Sequence, residues 1–192
     1  MLLLLRYTKT DISKTISYIV RGIELNQNRL LDRAIRQNVS VRRYVTAPVL
    51  ETAVLTNIPA SNPLRHVLLA STSQIPGYLA ESASASVHEA SSPSLPEVDI
   101  FLGTLVVTTL LRHNLLEAAA TLSVALVDYL KKISRRSLDI FAAKAYYYYS
   151  LVFERLKRLE SIRSELLQSY RTACLHRDEL SQAVLFNLIL RY

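Results

Sequence analysis

Hydrophobic positions recur at helical spacing over most of the chain, most regularly in Ser137–Arg158, SLDIFAAKAYYYYSLVFERLKR. On a helix turning ~100° per residue, Leu138, Phe141, Ala142, Ala145, Tyr149, Val152, Phe153 and Leu156 form one continuous stripe. Three- and four-residue steps of this kind mark a helix that faces a core. Ile140, Tyr147 and Leu151 line up on the opposite side, and Lys144, Glu154, Arg155, Lys157 and Arg158 fall between the stripes or near the C-terminal end. A helix apolar on two sides needs two neighbours. The pattern supplies them as Leu115–Lys132 and Leu159–His176, making this the inner helix of a layered array.

The same reading predicts helices along the rest of the chain. Asp11 or Ser13 is the expected cap of a first helix with its stripe on Ile12, Ile16, Ile19, Val20 and Ile23, because short polar side chains satisfy free N–H groups at a helix start. A second helix is expected over 27–37, with Leu30, Leu31, Ala34 and Ile35 inward and Arg29, Arg33 and Arg36 outward. Ser40 is the expected cap of a third, 41–57, with a kink or restart at Pro48. Asn62-Pro63 reads as a cap followed by proline in the first turn, opening a short helix through Leu69.

Ser71–Pro96 breaks the pattern. It holds Pro76, Pro93 and Pro96 and a serine-rich run with sparse, aperiodic apolar residues, the composition of a flexible linker. Order resumes at Pro96-Glu97 with a helix to about Arg112. His113-Asn114 is a break, and a second helix runs to Lys132 with Leu116, Ala119, Ala120, Val124 and Val127 inward. Leu159–His176 is predicted amphipathic, with Leu159, Ile162, Leu166, Leu167, Tyr170, Ala173 and Cys174 on one face. Asp178 starts a last helix through Leu190. Helix pairs thus begin near 97, 137 and 178, a period of about 40 residues that falls in the range of helical-hairpin repeats. The predicted fold is all-α, a tetratricopeptide-like α-solenoid, divided into an N-terminal helical segment (1–70), a Ser/Pro-rich linker (71–96) and a helical-repeat region (97–192).

Composition agrees. With 192 residues, half of them apolar, the chain can bury a sizeable core, and three glycines suit helices better than turn-rich sheet. The single cysteine, Cys174, excludes an intrachain disulfide framework and fits a reducing compartment. Without an apolar run long enough for a membrane span or a signal core, the expected location is cytosol or nucleus. The net charge of +7 comes from scattered basic pairs such as Arg42-Arg43 and Arg135-Arg136. No block of like charge is present, so charge alone gives weak support for nucleic acid.

Little chemistry is visible. His66, His88, His113 and His176 stand far apart without metal-ligand spacing, and His176 beside Cys174 has no third partner. There is no glycine-rich phosphate loop and no nucleophile elbow. Tyr146–Tyr149 could stack bases, but consecutive residues on a helix point ~100° apart and cannot form one flat platform. They read as core residues with hydroxyls at layer edges. No catalytic, cofactor-binding or metal-binding residue is therefore assigned, and the chain is read as a non-enzyme.

Three further stretches carry a resemblance: Leu138-Asp-Ile-Phe-Ala-Ala-Lys-Ala-Tyr-Tyr-Tyr-Tyr, then Arg163-Ser, Arg171-Thr-Ala and His176, and finally Gln182-Ala-Val-Leu-Phe-Asn-Leu-Ile-Leu-Arg191. With Leu95-Pro-Glu-Val and Leu105-Val-Val upstream, they resemble the non-ATPase regulatory subunit 3 family of the 26S proteasome, strongly over 95–191 and more weakly over 12–69. The resemblance implies a non-catalytic scaffold subunit of the lid of the 19S regulatory particle, supporting ubiquitin-dependent degradation in cytoplasm and nucleus. Its partners would be other lid subunits, with no cofactor, small-molecule substrate or membrane. Family members continue into a PCI module (a helical bundle plus a winged helix) beyond the position of Arg191-Tyr192, so this chain is expected to be a fragment that lacks the module. Val184, Leu185, Leu188 and Ile189 are then expected to be partly exposed. The alternative is a PCI-family helical-repeat protein that binds nucleic acid in mRNA export or translation initiation.

Overall fold

The computed structural model describes residues 2–76, 95–133 and 135–191, with side chains from Thr10 onward. Among the described residues the regular structure is helical: α1 (Leu2–Glu24), α2 (Asn28–Tyr44), α3 (Ala47–Asn57), α4 (Pro63–Thr72), α5 (Pro96–Arg112), α6 (Leu116–Lys132), α7 (Asp139–Arg155), α8 (Arg163–His176) and α9 (Glu179–Ile189). Short 3₁₀ turns at Arg136–Leu138 and Leu159–Ile162 lead into α7 and α8. Successive helices pair as antiparallel hairpins, α1 with α2, α3 with α4 and α5 with α6, while α7 packs on α5, α6 and α9, and α8 on α9. This is the expected helical-repeat solenoid.

Boundaries match the sequence where local chemistry sets them. Asn62 accepts a hydrogen bond from the Leu64 N–H, and Asp178 accepts one from the Ser181 N–H. Each satisfies an otherwise free donor at a helix start. Pro96 opens α5 with Glu97 and Asp99 in its first turn. Two expected caps fail. Asp11 and Ser13 lie inside α1, where the Thr15 hydroxyl donates to the Asp11 carbonyl at 2.7 Å. Ser40 lies inside α2, which runs on to Tyr44. Pro48 explains that end. It has no N–H for the carbonyl four residues back, which is that of Tyr44, and its ring would collide there. The chain therefore restarts at Ala47 with Pro48 in the first turn of α3. Of the expected linker, 77–94 lies outside the described residues, while Ser71 and Thr72 complete α4 and Ile75 is buried.

One hydrophobic core runs from Ile12 and Ile19 in α1 through Leu50, Leu68 and Leu105 to Phe141 and Val152 in α7, joining segments on both sides of 77–94. Its centre is α5. All but Thr108 and Arg112 of this helix are buried, and it touches α1, α2, α3, α4, α6 and α7. Its buried hydroxyls Thr104 and Thr109 donate to the Ile100 and Leu105 carbonyls, the usual way a helix hides such groups. Gly103 lets α6 come close, since a Cβ there would stand 2.4 Å from Leu126 Cδ2.

Of the predicted stripe on the tyrosine helix α7, Leu138, Phe141, Ala142, Ala145, Tyr149 and Val152 are buried, and Phe153 and Leu156 are half-buried. Three details differ. Its nearest neighbour beyond α6 is α9, not α8. Val124 is exposed, while Ala119, Ala120 and Val127 of the predicted α6 stripe are buried together with Leu122, Leu126 and Leu130. Cys174 is exposed, leaving the inner face of α8 to Leu166, Ser169 and Ala173. A second cluster, Val127, Tyr149, Ile162, Leu166, Ala173 and Leu185, joins α6–α9. On α9, Val184 and Ile189 are partly exposed as expected, but Leu185 and Leu188 are buried, and the exposed large apolar side chains are Leu180, Phe186 and Leu190. The cause is that α9 turns its 185/188 face onto α7 and α8.

Between these helices, Asn26, Asn114, Lys157 and Arg177 adopt positive φ, with Lys157 at 56°. Asparagine tolerates this region, whereas a lysine there sits where glycine costs least. Lys157→Gly should therefore stabilise the chain by about 0.5–1 kcal/mol, raising Tm by about 1–3 °C for a chain of this size. A thermal melt followed by circular dichroism checks this, and a lowered Tm would refute it.

Candidate interaction surface

The polar side chains that sequence reasoning could not place act as fasteners between helices. At the N-terminal end of α5, Asp99 is buried and accepts hydrogen bonds from Asn62 Nδ2 at 2.7 Å and from the Tyr129 hydroxyl at 2.9 Å. One carboxylate thereby ties the start of α4 to α5 and α6. Beside it, buried Glu97 accepts from the Ser137 hydroxyl. Both acids sit in the first turn of α5, where the helix dipole favours negative charge. Burial, and then the Asp99 charge, push the Tyr129 phenol up to about 12. A phenol that holds its proton more tightly when folded contributes stability in full below pH 10, its ordinary value, and loses it as pH rises through about 12. Unfolding by urea should accordingly become easier between pH 10 and 12, and in Tyr129→Phe this part of the pH dependence should vanish. An unchanged profile would refute the assignment.

At the other end of α5, Arg112 donates to three carbonyls at the end of α2: Arg43 and Val45 at 2.7 Å and Arg42 at 3.2 Å. Carbonyls at a helix C-terminus lack partners within the helix and attract cations. Arg155 donates to the Leu111 carbonyl at 3.1 Å, and Arg42 donates to the Tyr148 hydroxyl at 2.8 Å.

The four tyrosines occupy four environments. The Tyr146 phenol is pushed up by burial. Tyr147 is 40% exposed. Tyr148 accepts from Arg42, and Tyr149 is buried against Phe153, ring centres 5.0 Å apart, and donates its hydroxyl to Glu165. Burial works to raise the Glu165 carboxyl, but hydrogen bonds from Lys131 and Tyr149 hold it below its ordinary range. The tyrosines do not form a stacking platform.

Of the four histidines, His88 lies outside the described residues and the other three stand on separate helices or turns. Among the described residues no three His, Cys, Asp or Glu side chains come together as metal ligands. No described helix is long and apolar enough to cross a membrane. The exposed features are the arginine face of α2, where Arg33 lies 4.9 Å over the Tyr18 ring, the apolar group on α9, and a cleft of about 760 Å³ between the α6–α7 and α8–α9 turns. Asp139, at the edge of that cleft, is pushed up to about 6 by burial and by Asp178, against the pull of Arg136 and His176.

Stacked helical hairpins joined by buried polar groups define a helical-repeat protein. The chain belongs to the family described as PSMD3-like, N-terminal TPR repeats, whose profile matches residues 8–192. It is 32% identical over 188 residues to the "26S proteasome non-ATPase regulatory subunit 3 homolog B" of Arabidopsis thaliana, covering 96% of this chain and 38% of that protein. It is 29% identical over 181 residues to the "Probable 26S proteasome regulatory subunit rpn3" of Schizosaccharomyces pombe, covering 94% and 36%. A third relative, the "Probable 26S proteasome non-ATPase regulatory subunit 3" of Anopheles gambiae, is 34% identical over 173 residues, covering 90% and 35%. The chain thus spans a little over a third of the length of these relatives. The nucleic-acid alternative is not favoured by these relationships.

Proposed function

We propose that the chain serves as a non-catalytic scaffold in the lid of the 19S regulatory particle of the proteasome, in cytoplasm and nucleus. It supports ubiquitin-dependent degradation by holding other lid subunits in place, and uses no cofactor, small-molecule substrate or membrane. The observation that carries this reading is the family match across 8–192. The fold supports it, because buried acids and arginines are engaged in joining helices and not in a reactive cluster. In this reading the residues through α4 act as the N-terminal helical segment and those from α5 onward as the helical-repeat region. Affinity purification of the tagged protein, expressed from its native locus, tests this. Lid subunits should co-purify in a stoichiometric, high-molecular-mass particle. Their absence from the eluate would overturn the proposal.

A further inference from the structure

The turn between α6 and α7 and the turn between α8 and α9 wall the 760 Å³ cleft. Its floor is apolar, with Leu138, Ala142 and Ala173 buried beneath it. Arg135 and Arg136 stand on one rim and Arg177 on the other, all exposed. Among the described residues none of the three makes an ion pair, in contrast to neighbouring Lys131, which is held by Asp128 and Glu165. Arg177 is kept at φ 57°, a backbone state in which an arginine is strained and glycine would not be. Within the wall, the buried Ser169 hydroxyl lies beside the Tyr146 phenol without closing a hydrogen bond of regular geometry. Leu175, 84% exposed, lies at the mouth.

We propose that this cleft binds a phosphoserine- or phosphothreonine-bearing peptide of a protein partner. Arg135, Arg136 and Arg177 take the phosphate, the Ser169 hydroxyl supplies a further donor, and an apolar side chain of the peptide packs on Leu175 and the floor. Guanidinium forks match phosphate oxygens bidentately and leave no lone pairs to repel them. Two carboxylates oppose an anion here. Asp178 is committed to the Ser181 N–H, and Asp139 faces Arg136 and His176. With Lys131 the lining still carries an excess of positive charge. Attraction therefore grows with ligand charge, and a phosphate at about −1.5 to −2 gains more than a single carboxylate. An apolar floor suits a peptide side chain better than the continuous basic groove that tracks a nucleic-acid backbone. The inference does not depend on the lid assignment.

The test is fluorescence anisotropy of the 192-residue chain with nonapeptide pools whose central residue is phosphoserine, serine or glutamate and whose flanks are degenerate. The phosphoserine pool should bind at least tenfold more tightly than either other pool. Arg135→Ala/Arg136→Ala should weaken it at least fivefold. Arg177→Gly should do the same while Tm stays level or rises, which separates loss of the guanidinium from loss of the fold. Lys157→Ala/Arg158→Ala, an exposed basic pair in another turn, should leave binding unchanged. Equal binding of the serine or glutamate pool, an unchanged Arg177→Gly, an equal loss in the Lys157/Arg158 control, or tighter binding of a uridine decamer would each overturn the proposal.

Discussion

Tyr149→Asp should leave the repeat region unfolded at 25 °C. Tyr149 is 2% exposed and the largest of the fully buried side chains. Its ring belongs to the cluster that joins α6 to α9, and its hydroxyl serves Glu165. Truncating a buried aromatic costs about 3–5 kcal/mol in lost contacts and residual cavity. An aspartate adds a buried charge facing the Glu165 carboxylate, which has just lost a donor, and a further penalty of several kcal/mol is typical for an unpaired buried ion. The sum approaches the whole stability of an ordinary domain, about 5–15 kcal/mol. Tyr149→Phe keeps the ring and should cost only about 1–1.5 kcal/mol, the net worth of one hydrogen bond. Circular dichroism melts of the two variants should differ sharply. A cooperative, near-native melt for Tyr149→Asp would show that α7 is not the joint described. The same unfolding should remove the variant from the particle in the co-purification test.

Asp99→Ala should cost about 1–3 kcal/mol, because it leaves the half-buried Asn62 amide and Tyr129 hydroxyl without their acceptor. Asp99→Asn keeps one oxygen and the volume, and should lose clearly less. Urea denaturation at pH 7 gives the two values. A second readout isolates the hydrogen bond from general weakening. In Asp99→Ala the Tyr129 phenol, followed by tyrosinate absorbance, should fall from about 12 toward its ordinary value near 10. It should not fall the whole way, since burial is the larger cause. A loss below 1 kcal/mol together with an unmoved phenol would refute the hub role of Asp99.

Legibility in the sequence followed the range of the cause. Helix starts set by a residue and its immediate neighbours, at Asn62-Pro63, Pro96-Glu97 and Asp178, were readable because a cap acts over two or three positions. The α7 stripe was readable because periodicity is a local record of a distant core. Ser40 and Asp11 misled because a polar residue can cap a helix or continue one, and only the next strong breaker, Pro48, decides. The choice of α9 over α8 as partner of α7, and the exposure of Val124 and Cys174, depend on how hairpins rotate against one another, which side-chain spacing does not encode. For the interaction surface almost nothing was legible. The basic pairs were visible as pairs, but not that Arg112 and Arg155 are spent on carbonyls while Arg135, Arg136 and Arg177 gather around one cleft.

The Arg112 fastening has a mechanical meaning. It pins the end of α2 to the end of α5 through three carbonyls, at the opposite end of α5 from the residue where the chain re-enters after 77–94. Tension applied to the N-terminal hairpin thus has a non-covalent route, through one guanidinium and three carbonyls, into the most buried of the described helices. In a pulling experiment that grips the two ends of the chain, Arg112→Ala should therefore lower the force at which the N-terminal hairpin parts from α5.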